Sequence, residues 1–247
     1  MNNRSLNNTR EAMTAKHIGI IGCSSEGAAL CYRTICNEGA RMMGAHAHPE
    51  ITMHNHSLAD YVKCLERGDW SGIGQLMLSS ARKLADAGAD FVICPDNTIH
   101  GALRYIEQLM PLPLLHIADA VAHQAVKQGY RRVALTGTKW LVESDVYPER
   151  LARHGIEYQR PNHDERDEIN RIIMDELVYG VFKPEAVKTF QHIIDRLRSS
   201  GCDAVVLGCT EIPLIMNDMN SSLPTLDSTR LLARAALHQA IPESVLA

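Results

Sequence analysis

Two positions in this 247-residue chain are placed to offer a reactive side chain: Cys209 and Asp96. Cys209 ends the stretch Gly201-Cys-Asp-Ala-Val-Val-Leu-Gly-Cys, whose short run from Ala204 to Leu207 reads as a buried parallel strand stopping at Gly208. Asp96 ends a second copy of the same pattern, Gly88-Ala-Asp-Phe-Val-Ile-Cys-Pro-Asp, when Gly88 is laid on Gly201. A thiol at a strand end can ionise and react, and the carboxyl group at the equivalent place would offer a second reactive side chain. Other readings stand beside these. A cysteine there also serves as a small buried hydrophobe, and an aspartate there also caps the helix that follows.

The elements around the two positions repeat as well. Each copy follows an amphipathic helix, one marked by Ile73, Leu76, Met77, Ala81 and Leu84 and the other by Val187, Phe190, Ile194 and Leu197. Ile18-Gly-Ile-Ile-Gly-Cys matches Val133-Ala-Leu-Thr-Gly-Thr at nearly the same offset. The pattern predicts an α/β protein of two pseudo-symmetric, Rossmann-like lobes with mainly parallel sheets. Ligands of such sheets bind at the carboxyl ends of the strands, so each lobe would offer one reactive side chain to a cleft between them. Residues 17–117 with 226–247 are expected to form the first lobe, 118–225 the second, and 1–16 a disordered tail.

Composition narrows the partners. The formal charge is −4 without a basic block, which argues against nucleic acid, and no apolar run is long enough to span a bilayer. Seven cysteines, odd in number and without zinc-like spacing, fit a reducing compartment, so a cytoplasmic protein is expected. Most of them, Cys94 and Cys202 above all, read as buried hydrophobes. No Gly-x-Gly-x-x-Gly, P-loop or Gly-x-Ser-x-Gly is present.

Further along the chain, Ser24 or Ser25 can cap a helix running to about Glu38, and a substrate carboxylate could rest on its free amides. His46, His48, His54 and His56 alternate in two pairs, but Pro49 and the missing third ligand lead us to expect surface or cleft-lining histidines and no metal site. Asn97, Thr98 and His100 lead into a helix ending near Met110. The charges between Pro161 and Arg171 read as a solvated face before a helix from Glu168 to Leu177. The last helix, Ser228 to Ala240, is expected to pack back on the first lobe.

The ordered set Ile18-Gly-Ile-Ile-Gly, Asp96-Asn-Thr-Ile-His100, His116-Ile-Ala-Asp, Leu135-Thr-Gly-Thr, Asp164-Glu-Arg with Ile169-Asn170, and Gly208-Cys-Thr-Glu-Ile strongly resembles the aspartate/glutamate racemase family, over residues 17 to 240. The resemblance implies a cofactor-independent isomerase, a homodimer acting on aspartate, glutamate or a related acidic amino acid. One thiolate would remove the α-proton and a second thiol would reprotonate the opposite face. Cys209 matches the second cysteine. The first stands where this chain has Asp96, so Asp96 becomes the expected partner base or acid. Asn97, Thr98, Thr138, Thr210 and Ser24 become expected substrate-binding residues, with Glu211 and His100 in support. Glu168 replaces a basic residue of relatives, which opens side chains bearing an amine, a hydroxyl or another acid. Other reactions of the superfamily that need one cysteine, such as isomerisation, epimerisation or decarboxylation, are a rival reading, and so is a binding protein that has lost turnover.

Overall fold

The computed structural model describes residues 15–242. The expected tail therefore lies outside the described residues up to position 14, and so does the terminal segment 243–247. Lys16, read with that tail, is instead tied into the fold, its amide donating to the Ala240 carbonyl over 2.9 Å.

The first sheet grows from β1 (Ile18–Gly22), which leads into α1 (Ser25–Met43), β2 (Ile51–Asn55), α2 (Leu58–Arg67), α3 (Trp70–Asp86), β3 (Phe91–Ile93) and β4 (Leu114–Leu115). Its strand order is β2-β1-β3-β4, all parallel. A crossing helix, α4 (Ile117–Gln128), opens the second half: β5 (Arg132–Thr136), α5 (Lys139–Val142), α6 (Val146–Arg153), β6 (Glu157–Gln159), α7 (His163–Asp175), α8 (Pro184–Ser199), β7 (Ala204–Leu207), β8 (Thr225–Asp227) and α9 (Ser228–Ala240). The second sheet runs β6-β5-β7-β8 and repeats the first. Parallel neighbours need such helical crossovers, because a tight turn can join only antiparallel strands.

Strand periodicity divides the core. In the first sheet Ile21 and Val92 face Ile73, Met77, Ala81 and Leu84 of α3. Ile18, Ile20, Phe91 and Ile93 face Ile35 of α1 together with Leu232, Ala236 and Leu237 of α9. In the second, Ala134, Val205 and Leu207 meet α7 and α8, while Val133, Leu135, Ala204 and Val206 meet α4 and α6. Each large apolar side chain buried this way contributes about 1.5–3 kcal/mol, so both faces of both sheets need their helices.

Three elements depart from expectation. After Asp96 the chain forms 3-10 turns, Thr98–Tyr105 and Glu107–Leu109, in place of an α-helix. Gly101 lies under the Trp70 ring, where an added Cβ would come within 2.9 Å, and an interior glycine weakens an α-helix there. The helix expected from Glu168 starts at His163, capped reciprocally by Asn162 and Glu165. Leu226 and Asp227, read with the first lobe, pair with β7 in the second sheet, and the return to the first lobe's helices begins at Ser228.

Candidate active site

All four central strands end at the same cavity. Cys23 and Ser24 follow β1, Asp96 to Ile99 follow β3, Thr138 follows β5, and Gly208 to Glu211 follow β7; every one of these residues lines a cavity of about 60 Å³. The approach is close because two glycines allow it. A Cβ on Gly27 of α1 would stand 2.7 Å from both the Pro95 carbonyl oxygen and Thr210, and one on Gly208 would stand 2.4 Å from the Thr136 carbonyl oxygen.

Cys209 is half-buried, and its thiol donates to Glu211 Oε2 over 2.9 Å. Thr210 Oγ1 donates to the same oxygen over 2.8 Å. Glu211 itself is only 3% exposed. Burial and the adjoining Glu211 carboxylate push the Cys209 thiol well above the ordinary thiol range. Glu211 is thus the hydrogen-bond acceptor of both the Cys209 thiol and the Thr210 hydroxyl.

Asp96 is also half-buried, and its Oδ1 accepts from the Ile99 amide over 3.1 Å, so it caps the turn that follows. Burial, then the charge of Glu211, raises its carboxyl above the ordinary value of 3.8, although the Ile99 amide pulls the other way. Capping and proton transfer are compatible, because the cap uses one oxygen. His100 does not line the cavity; its Nδ1 donates to the Asp96 carbonyl oxygen over 2.7 Å while Nε2 accepts from the Ile117 amide over 3.3 Å. Both ring nitrogens are committed to the neutral form, and burial holds the ring down to about 4.

The hydroxyls cross the boundary between the lobes. Thr98 and Thr138 meet at 2.9 Å, and Ser24 and Thr210 at 3.2 Å. Asn97 is already engaged at both ends: its Oδ1 accepts from Tyr147 over 2.7 Å and its Nδ2 donates to Ser228 over 2.9 Å, which leaves one amide N–H for a ligand. Ser228 in turn donates to the Leu207 carbonyl oxygen. Tyr147 and Ser228 gave no signal in the sequence, because their role depends on segments 50 and 131 residues from Asn97 meeting it.

The walls are apolar: Leu58, Val62 and Leu65 from α2, Trp140 from α5, Ile173 and Met174 from α7, and Val178. No basic side chain is among the described residues lining the cavity. Glu168 points elsewhere, in a bidentate pair with Arg171. Neither Arg166 nor any of the four alternating histidines lines the cavity; His54 bonds Ser80 and Lys83, and His56 bonds Ser79. Lys139 lies over the Trp140 ring, and its amide is held by Asn170. A larger groove of about 680 Å³ runs behind the Asp96 turn, where Arg104, Arg150 and Arg153 are balanced by Glu107, Asp119, Asp145 and Glu149; it holds no thiol.

This geometry, a thiol and a carboxyl on loops of the two sheets over one apolar-walled cavity, agrees with the sequence comparison. The sequence model of the Asp/Glu/hydantoin racemase family matches residues 18–236. The chain belongs to that family. A Yersinia pestis protein described provisionally as an Asp/Glu racemase is 34% identical, with a TM-score of 0.84 over 92% of this chain and 100% of that one. An aspartate racemase homologue from Pyrococcus horikoshii OT3 is 30% identical, with a TM-score of 0.79 over 91% of this chain and 99% of its own. Among curated relatives, the broad specificity amino-acid racemase RacX of Bacillus subtilis is 24% identical over 172 residues, 68% of this chain and 73% of RacX. The glutamate racemase of Aquifex aeolicus is 24% identical over 161 residues, and the match spans 60% of that enzyme. The Yersinia and Pyrococcus structures share the α/β fold described above.

Proposed function

We propose that the chain is an amino-acid racemase, in which Cys209 serves one face of the substrate α-carbon and the Asp96 side of the cavity serves the other. The observation that carries this reading is the meeting of Cys209 and Asp96, from equivalent strands of two sheets, on one cavity. Removal of the α-proton leaves an electron pair that spreads into the substrate carboxylate, and hydroxyl donors such as Thr98 and Thr138 would stabilise the growing charge. The α-ammonium finds two carboxyl groups, Asp96 and Glu211, and no lining cation to repel it. No lysine lines the cavity among the described residues, so the proton work falls to thiols and carboxyls.

The motifs point to aspartate or glutamate, but a side-chain carboxylate would enter a cavity that already holds two acids and meet Leu58, Val62, Leu65, Ile173 and Met174. Burying an unpaired charge there costs far more than burying methyl groups. An uncharged, apolar side chain is therefore the class the wall favours. A homodimer is the setting this reading takes from the family resemblance, and the cytoplasm the one it takes from the odd number of cysteines without zinc-like spacing.

An enantiomer-resolved screen of acidic and apolar amino acids in heavy water tests all of it. A racemase inverts the α-carbon and labels it with deuterium. A decarboxylase releases carbon dioxide, an isomerase or epimerase acts at another carbon or one centre of several, and a binding protein does none of these. Since free enantiomers have an equilibrium constant of one, unequal acid and base groups appear in the separate kcat and KM values of the two directions. Turnover that survives Cys209→Ser unchanged rejects the mechanism.

A further inference from the structure

One thiol of the cavity remains without a task. Cys23 follows β1 directly and so leaves the first sheet one strand away from Asp96, on the same wall. It is 3% exposed, and burial first, then the neighbouring Asp96 charge, pushes its thiol well above the ordinary range. Across the cavity the Cys209 thiol donates to Glu211 over 2.9 Å. The cavity therefore contains two thiol–carboxyl pairs, one from each lobe.

A carboxyl group alone is a weak carbon base. Free aspartate and cysteine differ by about 4.6 pKa units, or roughly 6 kcal/mol of proton affinity. A sulfur next to a carboxylate combines the stronger base with a nearby place for its proton.

We propose that Cys23 is the acid–base group on the first-lobe face of the α-carbon, and that Asp96 acts on it as proton partner and positioning residue. This rests on the racemase reading. The two pairs hold three protons between them. In one direction the Cys209–Glu211 pair has one proton and the Cys23–Asp96 pair two. The Cα–H bond breaks, its proton goes to the Cys209 sulfur, and the electron pair stays on carbon and its carboxylate. The Cys23 S–H bond then breaks, its proton joins the opposite face of carbon, and the pair is left with one proton shared by sulfur and carboxyl. The substrate has lost one proton and gained one, and the enzyme is set for the other enantiomer. Burial favours the protonated forms of Cys23 and Asp96, consistent with a pair that can hold two protons.

The test measures racemisation and solvent-deuterium exchange for each enantiomer with wild type, Cys23→Ser, Cys23→Ala, Asp96→Asn and Cys209→Ser. Loss of a general acid–base group costs about 100- to 10,000-fold, and that fall in racemisation is expected for both Cys23 variants. Exchange without inversion should persist for the one enantiomer whose α-proton faces Cys209, which also reports an intact fold. Cys209→Ser should show the complementary enantiomer exchanging. Asp96→Asn should lose less than Cys23→Ser, because the sulfur remains. Wild-type racemisation by either Cys23 variant overturns the proposal, and so does a loss in Asp96→Asn larger than in Cys23→Ser. A wild-type chain that neither exchanges nor inverts any amino acid of the panel refutes the racemase reading, and this proposal with it.

Discussion

The hydroxyls of Thr98 and Thr138 lie 2.9 Å apart, although one follows the first sheet and the other the second. Ser24 and Thr210 form the related pair on the far side, at 3.2 Å. Each pair joins a loop of one lobe to a loop of the other, so the proposed carboxylate donors are also the groups that tie the lobes together at the cavity.

Thr98→Val removes one of these hydroxyls and keeps the shape. A hydrogen bond to a charged group is worth about 1.5–3 kcal/mol, so KM for the preferred amino acid should rise at least about tenfold, with a smaller change in kcat. Steady-state kinetics with each enantiomer check it. An unchanged KM would show that the carboxylate does not bind at Thr98.

Glu211→Gln should move the pH dependence of turnover. The Glu211 carboxylate raises the Cys209 thiol by charge and by hydrogen bonding. With the charge gone the thiolate forms at lower pH, so the limb of the pH–rate profile set by Cys209 should shift toward acid. A profile that stays in place would detach Glu211 from the sulfur.

Val62→Arg puts a guanidinium into the apolar wall of the cavity. A cation there would pair with a substrate side-chain carboxylate, and kcat/KM for aspartate should rise relative to that for an apolar amino acid by about tenfold, the equivalent of about 1.4 kcal/mol. If wild type already prefers aspartate to apolar substrates, the proposed side-chain class is wrong.

His100 couples the Asp96 turn to α4 and makes stability depend on pH. Its ring is held down to about 4 in the fold from an ordinary 6.5, so the unfolded chain takes up this proton first on acidification. The stability is fully present above pH 6.5 and is lost as the pH falls toward about 4. The shift corresponds to about 3 kcal/mol. Denaturant titrations at several pH values should show this acid-side loss in wild type and a shallower one in His100→Gln.

Much of this was legible in the chain. Ile117–Gln128, Arg132–Thr136 and Ser228–Ala240 follow directly from periodicity and end signals, and the repeat of Gly88 on Gly201 anticipates two matching sheets. The 3-10 turns after Asp96 were not legible, because they depend on Trp70 lying against Gly101. The start of α7 was present in the sequence as Asn162 with Glu165 three residues later, but the dense charge obscured it. Cys23 carried the one missed clue at the cavity: like Asp96, it stands just past the end of a buried strand. Its place beside Asp96 on the cavity wall needs two adjacent strands to be placed side by side, which no spacing along the chain reveals.

The last helix also closes a core that opens near the other end of the described chain. Leu232, Ala236 and Leu237 cover Ile18, Ile20, Phe91 and Ile93, and Ser228 receives the amide of Asn97. That face of the first sheet is therefore covered only in part, by α1, until α9 is made well after the sheet's last strand. An apolar surface left exposed in this way is the kind that chaperones shield. A fragment stopped at Asp227 would keep every acid and thiol of the cavity, yet its first half would lack a lid for its core.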